Sequence, residues 1–124
     1  MPIRLAFIGC GCKNRVHAKA ALDIGGIELS AVVNHRAESM EKFASDFAIK
    51  RSFLNIEDLI REGGVDAFVI ATPNKLHAQQ AIAALNAGYH VLVEKPMAIN
   101  ALEARSMLAA AQENQKTLMV AHCF

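Results

Sequence analysis

The 124-residue sequence predicts an α/β fold: a doubly wound, mostly parallel sheet with helices on both faces. Three observations predict it. Strand-type apolar runs alternate with helix-type segments from one end of the chain to the other. The strand runs are almost continuously apolar, as strands covered on both faces are. The first of them, Ile3–Ile8, leads directly into a glycine-rich turn, Gly9-Cys10-Gly11-Cys12-Lys13-Asn14.

The elements follow in order. Strand-type runs fall at Ile3–Ile8, Ile27–Asn34, Arg51–Phe53, Ala67–Ile70, His90–Val93 and Thr117–Ala121. The segment Lys13–Ile24 reads as a helix with Val16, Ala20 and Ile24 on one stripe. Asn55 followed by Asp58 opens a short helix that stops at Gly63-Gly64. Leu76–Ala87 repeats a helical spacing with Ala78, Ala81, Ile82 and Leu85, and Gly88 supplies a left-handed cap. Asn100 with Glu103 resembles a capping box for a helix to about Asn114, with Ala101, Ala104, Leu108 and Ala111 facing inward. Right-handed crossovers between such strands place a ligand cleft at their carboxyl ends.

Bulk properties narrow the function classes. A chain of this length forms one domain, residues 1–124, with a single core. No apolar run reaches the roughly 18 residues of a membrane span. A net charge of +1 without a basic stripe argues against nucleic acid and against an anionic membrane surface as partners. The start Met1-Pro2-Ile3-Arg4 lacks the pattern of a secretory leader, so a cytoplasmic setting is expected. Three cysteines, Cys10, Cys12 and Cys123, have no second ligand cluster at zinc spacing, and no metal is expected. Cys10 reads as a small residue in a tight turn.

Each turn at a strand's carboxyl end borders the same cleft. After the first strand, Gly9 permits the tight turn and Gly11 lets the backbone approach a phosphate without a Cβ. Cys12, Lys13 and Asn14 complete that turn. The third glycine of the dinucleotide pattern is replaced by Asn14, which implies a slightly wider turn; a glycine turn with no ligand is the plainer alternative. After the second strand come Asn34, His35 and Arg36, where NAD-binding domains place a carboxylate against the ribose hydroxyls. Asn34 can donate to a 2′-phosphate and Arg36 can pair with it, which tilts the choice towards NADP over NAD. Arg36 as a solvated loop residue is the alternative. After the fourth strand come Ala71, Thr72, Pro73 and Asn74, with Asn74 read as an N-cap and His77 in the first helical turn. His77 alone reads more readily as a packing or hydrogen-bonding residue than as a catalyst. After the fifth strand come Glu94 and Lys95: a lysine that meets a ribose or a substrate hydroxyl, or an ordinary strand-end ion pair.

Taken together these segments resemble the glucose–fructose oxidoreductase / inositol dehydrogenase / rhizopine catabolism (Gfo/Idh/MocA) family. The matching stretches are Gly9-x-Gly11-x-x-Asn14-x-x-His17, Ala71-Thr72-Pro73-Asn74-x-x-His77, Ala87 through Pro96, and Val120-Ala121-His122-Cys123-Phe124. The resemblance implies an N-terminal Rossmann domain binding NAD or NADP, followed in family members by a second α/β domain. That domain supplies much of the substrate pocket and commonly the oligomer interface, so a homo-oligomer is expected of the full-length protein. Lys95 matches the lysine of the family's Glu-Lys-Pro motif, which assists proton transfer near the nicotinamide ribose. Pro96 matches a proline often preceded by a cis peptide. The implied chemistry is hydride transfer between nicotinamide and a sugar, a polyol such as a cyclitol, or a related hydroxy compound. Relatives acting as dinucleotide-sensing regulators, or as lyases and glycosidases using tightly held NAD, are the alternatives. Asn14 and Asn34 depart from the family pattern. Phe124 falls where the family chain passes into its second domain, so this segment alone is expected to bind cofactor without turnover.

Overall fold

The computed structural model describes residues 1–122. The chain runs β1 (Ile3–Ile8), α1 (Cys12–Ile24), β2 (Ile27–Val33), α2 (Ala37–Asp46), β3 (Arg51–Phe53), α3 (Ile56–Glu62) and β4 (Ala67–Ile70). It continues through a 3₁₀ turn (Asn74–Leu76), α4 (His77–Asn86), β5 (His90–Glu94), α5 (Ala101–Glu113) and β6 (Leu118–Ala121). The six strands form one sheet in the order β3-β2-β1-β4-β5-β6, and every neighbouring pair is parallel. From β1 the chain winds one way to β2 and β3, then the other way from β4 to β6. The switch point therefore lies between β1 and β4, where Ile8 pairs with Ile70.

Period-two alternation on a sheet covered from both sides explains the continuous apolar runs. Ala6, Ile8, Phe68, Ile70, Val91 and Val93 face one core, packed with residues of α3, α4 and α5. Phe7, Val32 and Val69 face the other, against Ala18 of α1 and Met40 and Phe43 of α2. The β1–β2 ladder is irregular between Leu5 and Ala6, which leaves Ser30 as the extra residue on β2.

Helix ends follow the expected chemistry in two places. The Asn55 side chain accepts from the Asp58 N–H and the Asn100 side chain from the Glu103 N–H, both at 2.8 Å. Gly88 sits at φ +94°, a backbone open to glycine. Three expectations need correction. In α1 the buried residues are Asn14, Ala18 and Ala21, whereas Val16 and Ile24 are 63% and 73% exposed. Small side chains let α1 lie close to β1 and β4, so the larger apolar residues turn outward. In α5 the inward residues are Met107, Ala110 and Ala111; Ala101 and Leu108 are exposed and Ala104 is half-buried. Packing follows Met107, the long flexible side chain able to reach the sheet. Asn74 makes no capping bond, because it already has helical backbone as the first residue of the 3₁₀ turn.

An exposed pair ties the start of β1 to the start of β4. Arg4 donates through its backbone N–H, Nε and Nη2 to the Asp66 carboxylate. The guanidinium and the backbone donor hold the Asp66 carboxyl down at about 2. A depressed carboxyl contributes stability that is fully present above its unfolded value near 4 and lost as pH falls through its folded value. The urea midpoint of Asp66→Asn is therefore expected below that of the unmodified chain above pH 4, with the gap closing as pH 2 is approached. A gap independent of pH would assign the effect to the backbone bond alone.

Candidate functional site

The carboxyl ends of β1, β2, β4 and β5 carry the predicted site residues to one rim. A cleft of about 560 Å³ is lined by Gly9, Cys10, Gly11, Asn34, His35, Leu54, Ala71, Thr72, Pro73 and their neighbours. A second, of about 240 Å³, is lined by Gly11, Cys12, Lys13, Ala71, Thr72, Asn74, His77, Glu94 and Lys95. The two share Gly11, Ala71 and Thr72 as walls, so together they form one trough across the switch point. Arg36 lies outside both lining sets, exposed at the start of α2.

The glycine turn shows why each glycine stands where it does. Gly9 has φ +101°, and a Cβ there would come 2.5 Å from the Ala71 carbonyl oxygen. Close contact between the turn and the end of β4 thus requires its absence. A Cβ on Gly11 would meet nothing within 4 Å, because it would project into open space. Gly11 is also the N-cap of α1, with no side-chain cap and no acidic residue in the first turn. The first N–H groups of this 13-residue helix have no side-chain cap, and Lys13 adds positive charge beside them.

Asn14 faces away from the trough and is fully buried. Its Nδ2 donates to the carbonyls of Ile8 (3.0 Å), Gly9 (2.9 Å) and Val69 (3.2 Å). Where a third glycine would let helix and strands touch, this amide fills the gap and staples the turn to both central strands. It holds the glycine turn in place; its Oδ1 is buried with no hydrogen-bond partner among the described residues.

Around the second strand end, the Asn34 amide donates to the Arg36 carbonyl at 3.2 Å, closing the loop on itself. Cys10 is half-buried, and burial pushes its thiol up to about 11. Cys12 is exposed on the trough. Cys123 and Phe124, part of the last motif stretch, lie outside the described residues.

Lys95 is exposed at the mouth of the smaller cleft and, among the described residues, makes no ion pair. In place of a strand-end pair between Glu94 and Lys95, the buried Glu94 carboxylate accepts a hydrogen bond from His17 Nε2 at 2.7 Å. The Lys95–Pro96 peptide is cis. His77 is 1% exposed; its Nδ1 lies 2.8 Å from the Pro96 carbonyl oxygen and its Nε2 2.9 Å from that of Thr72. The histidine is a hydrogen-bonding residue of the interior. His17 is the residue whose contact sequence reasoning missed: its place in the glycine-turn motif was noted, but its partner sits at the far side of the chain.

Among the described residues no group of three or more His, Cys, Asp or Glu could hold a metal ion, and no helix is long and apolar enough to cross a membrane. The family model for the GFO_IDH_MocA oxidoreductases, with an NAD-binding Rossmann fold, matches residues 3–122. Scyllo-inositol 2-dehydrogenase (NADP(+)) of Bacillus subtilis is 37% identical over 119 residues, covering 96% of this chain and 36% of the relative. The 4-carboxy-2-hydroxymuconate-6-semialdehyde dehydrogenase of Sphingobium sp. is 32% identical over 120 residues, with 97% and 38% covered. Among solved structures, the WlbA dehydrogenase of Bordetella pertussis, in complex with NADH and UDP-GlcNAcA, superposes with a TM-score of 0.94. That protein is 33% identical, with 98% of this chain and 37% of the other covered. The chain thus spans little more than a third of the length of these relatives. Strand order, glycine turn and family match agree: the chain belongs to the Gfo/Idh/MocA oxidoreductase family, as its NAD-binding Rossmann-fold domain.

Proposed function

We propose that this chain is the cofactor-binding domain of an NAD(P)-dependent oxidoreductase acting on a sugar, cyclitol or related hydroxy compound. The observation that carries the proposal is the trough itself. An uncapped helix N-terminus, a Gly11 whose missing Cβ leaves the cradle open, and Lys95 all border one continuous space. The residues present fit a dinucleotide: free N–H groups and Lys13 for the pyrophosphate, and the larger cleft beside Asn34 and Leu54 for the adenosine end. When bound, the nicotinamide gives or takes the hydride.

The chain's own residues then have distinct tasks. Gly9, Gly11, Cys12, Lys13 and the staple of Asn14 shape and charge the phosphate cradle. Ala71, Thr72, Pro73 and Asn74 form the wall between the two clefts, and His77 anchors that wall from below. Glu94 is paired internally, which leaves Lys95 as the mobile amine at the cleft mouth. Lys95 takes the hydroxyl proton as the alcohol is oxidised and returns it on reduction. In the full-length protein, a second domain of the kind that the family resemblance implies supplies the substrate pocket and the contact between subunits.

At the adenosine end we assign the choice of NADP over NAD to Asn34, His35 and Arg36. No carboxylate stands at Asn34 to repel a 2′-phosphate, and the exposed guanidinium of Arg36 is free of ion pairs among the described residues. A charge-assisted bond of this kind is worth about 1.5–3 kcal/mol, or roughly 10- to 150-fold in affinity. Parallel fluorescence titrations with NADPH and NADH test the reading. Arg36→Ala is expected to weaken NADPH at least tenfold and leave NADH within about twofold. Equal loss for both would remove Arg36 from phosphate recognition, and no binding of either by the unmodified chain would overturn the cofactor assignment.

A further inference from the structure

We propose that His17 and His77 are positioning residues that clamp Lys95 from both sides, His17 through the Glu94 side chain and His77 through the Pro96 carbonyl. The proposal rests on the reading of Lys95 as the group that moves the substrate proton.

Lys95 stands on a short exposed segment between β5 and α5, yet the residues on either side of it are fixed from the interior. Glu94 is the last residue of β5, and its side chain is only 7% exposed. A carboxylate so enclosed is expensive unless it is paired. His17, two turns into α1, donates to it at 2.7 Å. After Lys95, the Pro96 carbonyl oxygen lies 2.8 Å from His77 Nδ1. His77 Nε2 faces the Thr72 carbonyl at 2.9 Å. Carbonyl oxygens only accept and a neutral ring carries one N–H, so the clamp requires the tautomer with that N–H on Nδ1, facing Pro96.

The two histidines come from the two helices that start at the trough. Helix α1 begins with the glycine turn, and α4 follows the Thr72-Pro73-Asn74 wall. Each helix therefore fixes its own part of the cofactor cradle and, through one histidine, one neighbour of Lys95. A change of register in either helix would carry Lys95 with it. This is a way to keep a flexible four-carbon amine over a fixed point, since its backbone is held while its side chain stays free.

Backbone ¹⁵N order parameters of the intact chain test the clamp without any turnover. In folded His17→Leu and His77→Leu, the Lys95 amide is expected to fall from a rigid value of about 0.85 to below about 0.6, as a released loop does. His17→Gln and His77→Gln, which keep an N–H donor, are expected to restore it. Thermal midpoints and the amides of β1 and β4 report whether the fold is intact. Should His17→Leu fail to fold with Glu94 left unpaired, the double substitution His17→Leu/Glu94→Leu replaces the pair by apolar groups and removes the clamp. An unchanged Lys95 order parameter in the folded Leu variants, or Gln variants as mobile as the Leu ones, would overturn the proposal. NADH titration of the same samples separates the two readings. A clamp that responds as expected in a chain that binds no NADH would sink the cofactor reading and leave the clamp standing.

Discussion

Replacing Gly9 by alanine should cost the chain on the order of 3–5 kcal/mol of stability, and replacing Gly11 by alanine almost none. At Gly9 the backbone has φ +101°, and a Cβ would lie 2.5 Å from the Ala71 carbonyl oxygen and 3.1 Å from its carbon. Those are main-chain atoms just past β4, paired to β1 through Ile8 and Ile70, so they cannot swing aside. Backbone strain and overlap therefore add. At Gly11 neither term exists, since φ is −80° and the Cβ position is open. The methyl group there would instead enter the open space beside the first N–H groups of α1, where the proposed function places a pyrophosphate. Urea denaturation and NADH titration should give opposite answers for the two variants: Gly9→Ala loses stability, while Gly11→Ala keeps its urea midpoint and loses at least tenfold in affinity. A stable Gly9→Ala would mean that the turn and the end of β4 can part, and an unimpaired Gly11→Ala would move the phosphates elsewhere.

The second large effect belongs to Asn14. Its Nδ2 serves three carbonyls in a fully buried place. Asn14→Ala removes the donor and leaves the buried Gly9 carbonyl short of a partner, at about 1–3 kcal/mol. Asn14→Asp has nearly the same shape and should be worse than Asn14→Ala at neutral pH. A carboxylate there faces three carbonyl oxygens with no proton to offer. Its folded pKa is therefore raised above the ordinary aspartate value near 4. The penalty is absent where the carboxyl is protonated in both states and grows as pH rises past the unfolded value. Acidification should thus bring Asn14→Asp up relative to Asn14→Ala in paired urea melts. A constant gap between the two across pH would show that the amide is not serving as a donor to these carbonyls.

Much of the fold was legible because it rests on local rules. The strands Ile3–Ile8, Arg51–Phe53 and Ala67–Ile70 match their apolar runs residue for residue, and the caps at Asn55 and Asn100 need only their own next turn. Helix faces were less legible. The spacing of Val16, Ala20 and Ile24 is helical, but spacing does not say which stripe meets the sheet. In α1 that is decided by how near Ala18 and Ala21 let the helix approach Phe7 and Val69. At the site, Gly9, Gly11 and Lys95 could be placed because each follows a strand end. The tasks of Asn14 and His17 could not, since their partners Val69 and Glu94 lie far along the chain and meet them only when the sheet is assembled.

Of the six strands, β1 comes first in the chain and ends up in the middle of the sheet. Its partner on one side, β2, follows one helix later, and Phe7, Val32 and Phe43 can close a small core as soon as α2 has emerged. Its partner on the other side, β4, arrives only after β3 and α3 are complete. A nascent chain of β1, α1, β2, α2 and β3 therefore shows one bare, apolar edge, Leu5 to Ile8, waiting for Ala67 to Ile70. Pairing over such a separation is slow, and an open edge invites strands from other chains. The same seam later becomes the floor of the trough, where the proposed function places the cofactor. Ligand and late-folding strand thus act on one line of the molecule, and a dinucleotide present during refolding should draw yield towards the native chain and away from aggregate.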